Sequence, residues 1–358
     1  MRPVPAVRRP ASVSSQIGLT DKIFASGADR SLASAVDAGL ALVEEGLHEQ
    51  MRFADELADV TARYLLEAGG KRVRPMLTLL AAQLGVGNTP EVLQAAEAVE
   101  ITHLASLYHD DVMDDSQMRR GVPSAQFVWG NSVAVLTGDL LFARASKMVA
   151  ALGERAIQLQ ADTFERLCLG QLHETIGPRE GEDPVEHYIG VLEDKTGSLI
   201  AVAAQMGVVF SQAPVEYEQP VVTFGEKIGV AFQLIDDVID LSSRGVEETG
   251  KTPGNDLRAG VATLPVLRLR ERAETDPDAR ALLERLERDV IGTADEDAIT
   301  PEAVTAIAAL REHDVTRQTL DEAHRWAREA VDALAPLPTG SVKKALVRFA
   351  DTIVERSS

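Results

Sequence analysis

The stretch EITHLASLYHDDVMDD, residues 100–115, joins an apolar helical run to a dense group of acidic side chains. Its apolar residues recur every three or four positions, the spacing of one buried helix face. Four of the next six positions, 110 to 115, are then aspartates. Like charges at that spacing repel each other on a helix. A buried helix that ends in such a cluster predicts a site that holds cations.

A second acidic cluster repeats the pattern in AFQLIDDVIDL, residues 231–241. In each cluster two carboxylates lie one helical turn apart, with a third beside them: Asp110, Asp114 and Asp111 in the first, and Asp236, Asp240 and Asp237 in the second. Both clusters follow apolar runs, which disfavours a solvated acidic face. Oxygen-only ligands suit Mg²⁺, and two clusters could hold several Mg²⁺ ions around one diphosphate. Neither an EF-hand loop nor a His/Cys zinc cluster is present in the sequence.

The composition favours a soluble all-α protein. The chain has 358 residues, of which 45% are hydrophobic and only 4% aromatic, and apolar spacing is helical nearly everywhere after Ser31. The formal charge of −20 argues against nucleic acid as a partner, because such a surface needs a basic stripe. Any bound phosphate must therefore meet local cations.

Cysteine content and hydropathy favour a cytoplasmic protein without stable membrane insertion. The single cysteine, Cys168, permits no intrachain disulfide, which suits a reducing compartment. No apolar run is long enough to span a bilayer. Residues 1–20 are basic, but their prolines predict a flexible tail rather than a transit peptide. Residues 21–358 are expected to form a single domain, within which 271–300 would be a solvated helical hairpin with few core positions.

Cationic and polar side chains recur near the acidic clusters. His103 lies two helical turns before Asp110 and should share its face, although a lone helical histidine is usually a core residue. The other candidates are Lys71 and Arg74 in GGKRVRP, Arg119 and Arg120 after the first cluster, Lys195 and Thr196 in EDKTGSL, and Lys251 in TGKTPG. Arginines suit bidentate phosphate contact.

Taken together, these motifs resemble the trans-isoprenyl diphosphate synthases, the polyprenyl synthetase family, over roughly residues 30 to 355. The resemblance rests on ordered motifs that include GGKRVRP, HDDVMDDSQMRRG, LTGDLLFARA, DKTGSLI, AFQLIDDVIDL and GKTPGNDLRAG. It implies the isoprenoid synthase fold, an antiparallel helical bundle around a deep central cavity, and a homodimer. Because the product is strongly apolar, transient peripheral contact with a membrane is also expected.

The resemblance also implies roles for individual residues. Asp110, Asp114, Asp236 and Asp240 would bind Mg²⁺, supported by Asp111 and Asp237. Isopentenyl diphosphate would be held by Lys71, Arg74, His103 and Arg120. The allylic diphosphate and its cation would be held by Arg119, Lys195, Thr196, Gln233 and Lys251. Val261 stands where many relatives have lysine, which removes one cationic contact, while Lys251 and Arg258 remain nearby.

The implied reaction consists of ionisation, condensation and elimination. Mg²⁺ and cationic side chains would stabilise the charge on the departing diphosphate. The alkene of isopentenyl diphosphate would then attack the allylic cation, and a proton would leave. Carbonyl groups near Lys195 and Thr196, with the Gln233 amide, would stabilise that cation. No protein nucleophile is needed.

Small residues before the first cluster predict a long product. Ala105 and Ser106, five and four positions before Asp110, and Thr102 one turn further back are all small, whereas family members that stop early tend to have aromatics at the first two. A helical turn rises about 5.4 Å, close to one extended isoprene unit, so a tunnel without a floor predicts about seven to ten units. Geranylgeranyl diphosphate is the alternative product.

Two other classes of protein share features of this sequence. A class I terpene cyclase would carry an Asn/Asp, Ser/Thr, Glu metal triad in place of Asp236, Asp237 and Asp240. A non-catalytic subunit of a two-component synthase would usually lose its acidic motifs, and both are intact here. The sequence therefore favours a catalytic prenyltransferase.

Overall fold

The computed structural model describes residues 23, 29–242, 253–293 and 299–355. Within these ranges the chain is almost entirely helical, and the all-α prediction is confirmed. Among the described residues, the first half of the chain contains seven α-helices: α1 (Arg30–Gln50), α2 (Glu56–Glu67), α3 (Val73–Ala82), α4 (Pro90–Met113), α5 (Ala125–Trp129), α6 (Asn131–Leu152) and α7 (Glu154–Ile176). A small antiparallel hairpin, β1 (Met118–Arg119) and β2 (Val122–Pro123), lies between α4 and α5.

The second half contains nine further α-helices among the described residues. They are α8 (Pro184–Leu192), α9 (Ser198–Phe210), α10 (Glu218–Asp240), α11 (Asn255–Arg258), α12 (Leu264–Ala273), α13 (Pro277–Asp289), α14 (Pro301–Glu312), α15 (Asp314–Ala333) and α16 (Ser341–Val354). A π-helical turn, Glu193–Gly197, joins α8 to α9, and a 3₁₀ turn, Val215–Tyr217, precedes α10. No helix in the described ranges is long and apolar enough to cross a membrane.

Several helix starts follow directly from the sequence. The hydroxyl of Thr89 accepts a hydrogen bond from the backbone N–H of Val92, and Pro90 occupies the first turn of α4. Asp183 caps α8 in the same way through its carboxylate, again with proline next in sequence. A short polar cap followed by proline satisfies an orphan backbone donor and presets the helical φ.

The described residues group into two compact units. The first takes its described residues from Met1–Glu165, Leu199–Gly225 and Ala333–Thr352. At its centre α4 packs against α1, α3 and α6, and buried residues run along the length of α4. The hydroxyl of Tyr108 accepts a hydrogen bond from the backbone N–H of Leu65 at 3.2 Å, which ties α4 to α2.

The second unit takes its described residues from Arg166–Ser198, Glu226–Asp332 and Ile353–Ser358. Its apolar core is built largely by α12, α13 and α14. The expectation that 271–300 contributes few core positions is wrong, because Ala279, Leu282, Leu286 and Val290 are all buried in this core. The charged residues of α13 cover only its outer face, while leucines spaced four residues apart form an apolar stripe.

Candidate active site

The first acidic cluster lies at the C-terminal end of α4. Asp110 and Asp111 occupy its last turn, and Asp114 caps the helix by donating its backbone N–H to the carbonyl of Asp110 at 2.8 Å. The three carboxylates differ in exposure, since Asp111 is completely buried, Asp110 is half-buried and Asp114 is exposed. The two residues predicted to bind metal are therefore the two that solvent reaches.

A tight hairpin follows the cluster and turns the chain back on α4. Arg120 and Gly121 form its two-residue loop with φ values of 53° and 76°. Positive φ at both loop positions is the requirement of a type I′ turn, whose twist matches that of the flanking strands. Through this turn Arg119 reaches Asp111, and its Nε and Nη2 atoms both donate to Asp111 Oδ1, at 2.7 and 2.6 Å.

Arg120 points the other way, to the end of α2. Its Nη1 donates to the carbonyl of Leu65 at 2.8 Å and also to the carbonyl of Gly69. These are acceptors at a helix C-terminus, where positive charge is favoured. The sequence-predicted neighbours Arg119 and Arg120 thus hold the hairpin to two different helices.

The GGKRVRP segment connects α2 to α3. Its buried centre is Arg72, which has a left-handed φ of 47° and caps α3. Arg72 Nε lies 2.8 Å from Glu44 Oε2, and its Nη1 lies 3.2 Å from Glu100 Oε1. Lys71 before it is exposed. Arg72 therefore fixes the loop that presents the predicted phosphate ligands.

Positive charge exceeds negative charge around this loop. His103, on α4, has a pKa well below its usual value, first because of burial and then because Arg74, Arg120, Arg119 and Arg72 repel a further proton. Burial, reinforced by neighbouring arginines, also lowers the pKa of Arg120 to about 10. The loop is therefore suited to a multiply charged anion.

One arginine of this group retains an unsatisfied donor. Arg74 Nε is buried, and within the part of the chain that the structure describes it has no hydrogen-bond partner. Burial lowers the pKa of Arg74, while Glu100 opposes that shift. A buried guanidinium donor without a partner is costly, and a phosphate oxygen would satisfy it.

The second acidic cluster repeats this design at the C-terminal end of α10. Asp237 is buried, and it accepts a hydrogen bond from the hydroxyl of Tyr188 at 2.7 Å. Burial is the largest cause that raises the pKa of Asp237 well above its usual value. Asp236 is half-buried, as is Asp240. In both clusters the second aspartate is buried and bonded to a side chain from elsewhere in its own unit.

Asp240 is also bonded to the chain that follows it. Its carbonyl accepts from the backbone N–H of Gly254 at 2.7 Å, and its Oδ2 accepts from the N–H of Asp256 at 3.1 Å.

Lys251, a predicted substrate ligand, lies outside the described residues. Arg258 is buried and donates from Nη2 to the carbonyl of Thr293 at 2.8 Å. Because Arg258 is held by this contact, it is poorly placed to supply the cationic contact that relatives with lysine at the position of Val261 would have.

Lys195 and Thr196 lie in the π-helical turn. The ammonium of Lys195 pairs with the carboxylate of Glu174. The hydroxyl of Thr196 lies 3.5 Å from Oε1 of Gln233 and donates to it. The structure thus brings Thr196 and Gln233, 37 residues apart, into contact.

The residues predicted to control product length lie on α4 before the first cluster. Ala105 is fully buried and Ser106 is half-buried, with its hydroxyl donating to the carbonyl of His103 at 2.9 Å. One turn earlier, Thr102 accepts a hydrogen bond from the amide of Gln160 at 2.8 Å. Ser106 therefore offers the more accessible of the two small side chains.

The donor chemistry of both clusters fits a hard divalent cation. Each presents carboxylate oxygens from residues one turn apart, with one aspartate buried beside them. Within the described ranges no three His, Cys, Asp or Glu side chains converge as a ready-made metal cage. This agrees with Mg²⁺ chemistry, in which one or two carboxylates bind the ion and water or phosphate oxygens complete its octahedron.

Sequence reasoning missed residues that support the two clusters and the GGKRVRP loop. It did not identify Glu44, Glu100 or Tyr188, and it included Arg72 only among the cations of its motif, without a role of its own. Arg72 contacts Glu44 and Glu100 across 28 residues, and Tyr188 contacts Asp237 across 49. No local pattern marks such pairs. Only the unusual position of a charged residue in an otherwise apolar run, as at Glu100, could have drawn attention to them.

Comparisons with known proteins identify the family of the chain. A family model described as polyprenyl synthetase matches residues 55–302. The nonaprenyl diphosphate synthase of Mycobacterium tuberculosis is 42% identical over 356 residues, which cover 98% of this chain and 99% of that protein.

Two solved structures show the same fold. The polyprenyl synthase from Caulobacter crescentus, complexed with calcium and isoprenyl diphosphate, superimposes with a TM-score of 0.81 at 30% identity, covering 95% of this chain and 98% of that one. The geranylgeranyl pyrophosphate synthase from Corynebacterium glutamicum, with the same ligands, gives 0.78 at 38% identity, covering 92% and 98%. The predicted enzyme class, a prenyltransferase, is confirmed. The chain belongs to the polyprenyl synthetase family.

Proposed function

We propose that this chain is a Mg²⁺-dependent prenyltransferase that condenses an allylic diphosphate with successive isopentenyl diphosphate units into a long all-trans polyprenyl diphosphate. The observation that carries the proposal is the cationic loop beside the first acidic cluster. The loop carries a buried arginine donor without a partner among the described residues, and it lies beside a histidine whose pKa is lowered first by burial and then by neighbouring arginines. Such a loop needs an anion, and the adjacent carboxylates need a metal.

The residues divide naturally between the two substrates. Lys71, Arg74, His103 and Arg120 would bind the diphosphate of isopentenyl diphosphate. His103 would do so as a neutral donor, because its pKa is depressed. Arg119 would hold the allylic diphosphate, oriented by its two hydrogen bonds to Asp111. Asp110 and Asp114 would hold metal ions in the first cluster, and Asp236 and Asp240 would do so in the second.

Bound Mg²⁺ would act as a Lewis acid that stabilises the charge on the departing diphosphate. The protein's own groups account for the remaining requirements. The π-helical turn offers backbone carbonyls near Lys195 and Thr196, and the Gln233 amide lies against Thr196. These dipoles would stabilise the allylic cation while the alkene attacks, in the manner of preorganised electrostatic groups.

Product length is proposed from the small side chains on α4. Ala105 and Ser106 leave no bulky floor one turn before the acidic cluster, which favours about seven to ten isoprene units over a product that stops after a few turns of helix. Similarity to a nonaprenyl synthase supports this range. Similarity to a geranylgeranyl synthase keeps that shorter product as the second candidate.

The quaternary state and location are also proposals. The resemblance implies a homodimer, and several large apolar side chains are exposed in the first unit: Val135, Leu136 and Leu140 on α6, and Ile157 and Phe164 on α7. Exposed apolar surface commonly marks an interface. A cytoplasmic enzyme that contacts a membrane transiently would suit an apolar product.

The test is incubation of the purified chain with farnesyl diphosphate, excess isopentenyl diphosphate and Mg²⁺, followed by mass spectrometry of the dephosphorylated products. A ladder that ends between about seven and ten units, lost on addition of a chelator, is expected. The matched control is Asp110→Asn, which should extend the primer far more slowly than the wild-type chain. No extension by the wild-type chain would overturn the proposal, and a ladder that stops at geranylgeranyl would establish the second candidate.

A further inference from the structure

The turn that carries Lys195 and Thr196 is π-helical over Glu193–Gly197. A π-helical turn contains an extra residue, and such turns are rare and concentrate at functional sites. Because the turn loses the regular hydrogen bonds of an α-helix, something else must hold its shape. In the second unit that support comes from two neighbouring helices, α7 and α10.

Glycines allow both helices to approach the turn closely. A Cβ placed on Gly229 of α10 would lie 2.7 Å from Gly197 Cα and 3.2 Å from the carbonyl carbon of Thr196. A Cβ on Gly170 of α7 would lie 3.0 Å from Asp194 Cβ and 3.1 Å from the backbone N of Lys195. The first distance is far below any ordinary contact. The turn is therefore held between two helix backbones.

One side chain joins these three elements. Arg166 lies on α7, one turn before Gly170, and its Nε donates to Asp194 Oδ1 at 2.9 Å. Its Nη2 donates to the backbone carbonyl of Glu193 at 3.3 Å, and its Nη1 donates to Glu226 Oε1 on α10 at 2.6 Å. The Arg166 guanidinium thus binds a backbone carbonyl and a side-chain carboxylate at the start of the turn, and it also binds a carboxylate of α10.

The charges around Arg166 explain why arginine occupies this position. Asp194 and Glu226 accept its hydrogen bonds. Burial, followed by the charge of Glu226, raises the pKa of the Glu193 carboxyl, and Arg166 opposes that rise. A planar guanidinium can serve several acceptors at once in a fixed geometry, which the single ammonium of lysine cannot. The guanidinium therefore fixes the relative positions of its acceptors as well as balancing their charge.

We propose that Arg166 is a positioning residue of the reaction, which holds the π-helical turn so that Lys195 and Thr196 face the allylic substrate. The proposal rests on the proposed function. Arg166 itself contacts no substrate in this scheme, and its influence passes through Asp194 and the carbonyl of Glu193 to Lys195.

The test compares Arg166→Gln and Arg166→Lys with the wild-type enzyme in steady-state kinetics. Displacement of a catalytic group by a fraction of a helical turn is expected to lower kcat between about tenfold and a hundredfold in the glutamine variant. KM for isopentenyl diphosphate should change less than about twofold, because its proposed ligands lie elsewhere. The lysine variant should recover only part of the loss. The matched control is Arg155→Gln, which lies on α7 like Arg166 and removes an exposed ion pair to Glu218 of α10; it should resemble wild type.

A double-mutant cycle separates positioning from stability. If Arg166 acts through Lys195, Arg166→Gln should lower kcat much less in a Lys195→Ala background than in wild type. Asp194→Asn, a smaller change to the same contact, should reproduce the loss in kcat if Arg166→Gln folds poorly. Equal losses in both backgrounds, or variants that match Arg155→Gln, would overturn the positioning role alone. A wild-type chain without activity would overturn the proposed function and this inference with it.

Discussion

Arg119 and Asp111 are joined through a single carboxylate oxygen, with Nε and Nη2 of the guanidinium 2.7 and 2.6 Å from Oδ1. Asp111 is completely buried, while Arg119 is part-exposed at the edge of the hairpin. The pair therefore orients a cation with a carboxylate that solvent does not reach. Asp110, its neighbour on α4, is half-buried and reached by solvent, and it is the residue proposed to bind the metal.

Asp111→Asn should separate these two tasks. The amide keeps one acceptor but removes the charge that orients Arg119, so KM for farnesyl diphosphate is expected to rise about tenfold with a smaller change in kcat. Asp110→Asn should instead act mainly on kcat. Initial-rate kinetics with varied farnesyl diphosphate measure both. Identical profiles for the two variants would show that Asp111 does not act through Arg119.

Arg74→Met should weaken substrate binding without weakening the fold. The variant removes a buried cation whose Nε is unsatisfied, so the melting temperature of the free protein should not fall. KM for isopentenyl diphosphate should rise by about tenfold or more, and stabilisation by inorganic diphosphate should diminish in thermal-shift experiments.

The control for Arg74 is Arg63→Met on α2. Arg63 pairs with Asp59 and Glu67 on the same helix and lies in no proposed substrate contact. It should leave the diphosphate response unchanged. A marked loss of stability in Arg74→Met, with normal KM, would contradict the assignment of Arg74 to substrate.

Ser106→Phe should shorten the product. Ser106 is half-buried and can accept a ring with less disturbance than fully buried Ala105, whose backbone carbonyl also lies close to Gly138 of α6. The ring would close the path of the growing chain, so mass spectrometry should show a ladder truncated by several units. Ser106→Ala should leave the ladder unchanged, and Ala105→Phe should shorten it wherever that variant folds. An unaltered ladder in Ser106→Phe would place the tunnel elsewhere.

Glu97 predicts a pH dependence of stability. This carboxyl on α4 packs against α1 at Gly46, and burial raises its pKa to about 7 from an ordinary value of 4.5. The folded state therefore binds the proton more tightly than the unfolded state. The resulting stability is present below pH 4.5 and is lost as pH rises toward 7, by up to about 3 kcal/mol.

Glu97→Gln should remove that dependence. Its free energy of unfolding, measured by urea titration, should gain on wild type between pH 4.5 and pH 8 by up to about 3 kcal/mol. Glu45→Gln, an exposed change on α1, should follow wild type at both values. A constant difference between Glu97→Gln and wild type across this range would mean that Glu97 titrates normally.

Sequence periodicity was sufficient for helices that bury one regular apolar face, as the leucines of α13 show, and the long apolar run of α4 indicated a helix buried on most sides. It was insufficient for the hairpin at 118–123, where two-residue strands offer no alternation and the Arg-Gly turn lacks a typical asparagine or aspartate. The expectation of one domain over 21–358 stays a prediction.

The aspartates of the two clusters are predicted from the sequence because like charges that repel each other at the end of an apolar helix favour a bound cation, and their role stays a prediction. The residues that bind and orient these groups could not be predicted. Arg119 contacts Asp111 only because a turn brings it back, and Tyr188 and Arg166 contact residues that are distant in the sequence, Asp237 and Asp194. The signal for these residues is pairwise and three-dimensional. A single sequence reports composition and period, and neither contains that information.

Because the hairpin loop has only two residues, the number of residues in this segment determines where Arg119 points. Successive side chains on a strand alternate between faces, so one residue inserted between Ser116 and Arg119 would turn the arginine away from Asp111. The same insertion would place another residue at the positive-φ position now held by Gly121. Insertions and deletions in this segment should therefore be tolerated less than substitutions. A relative with an insertion here should differ in how it binds its allylic substrate.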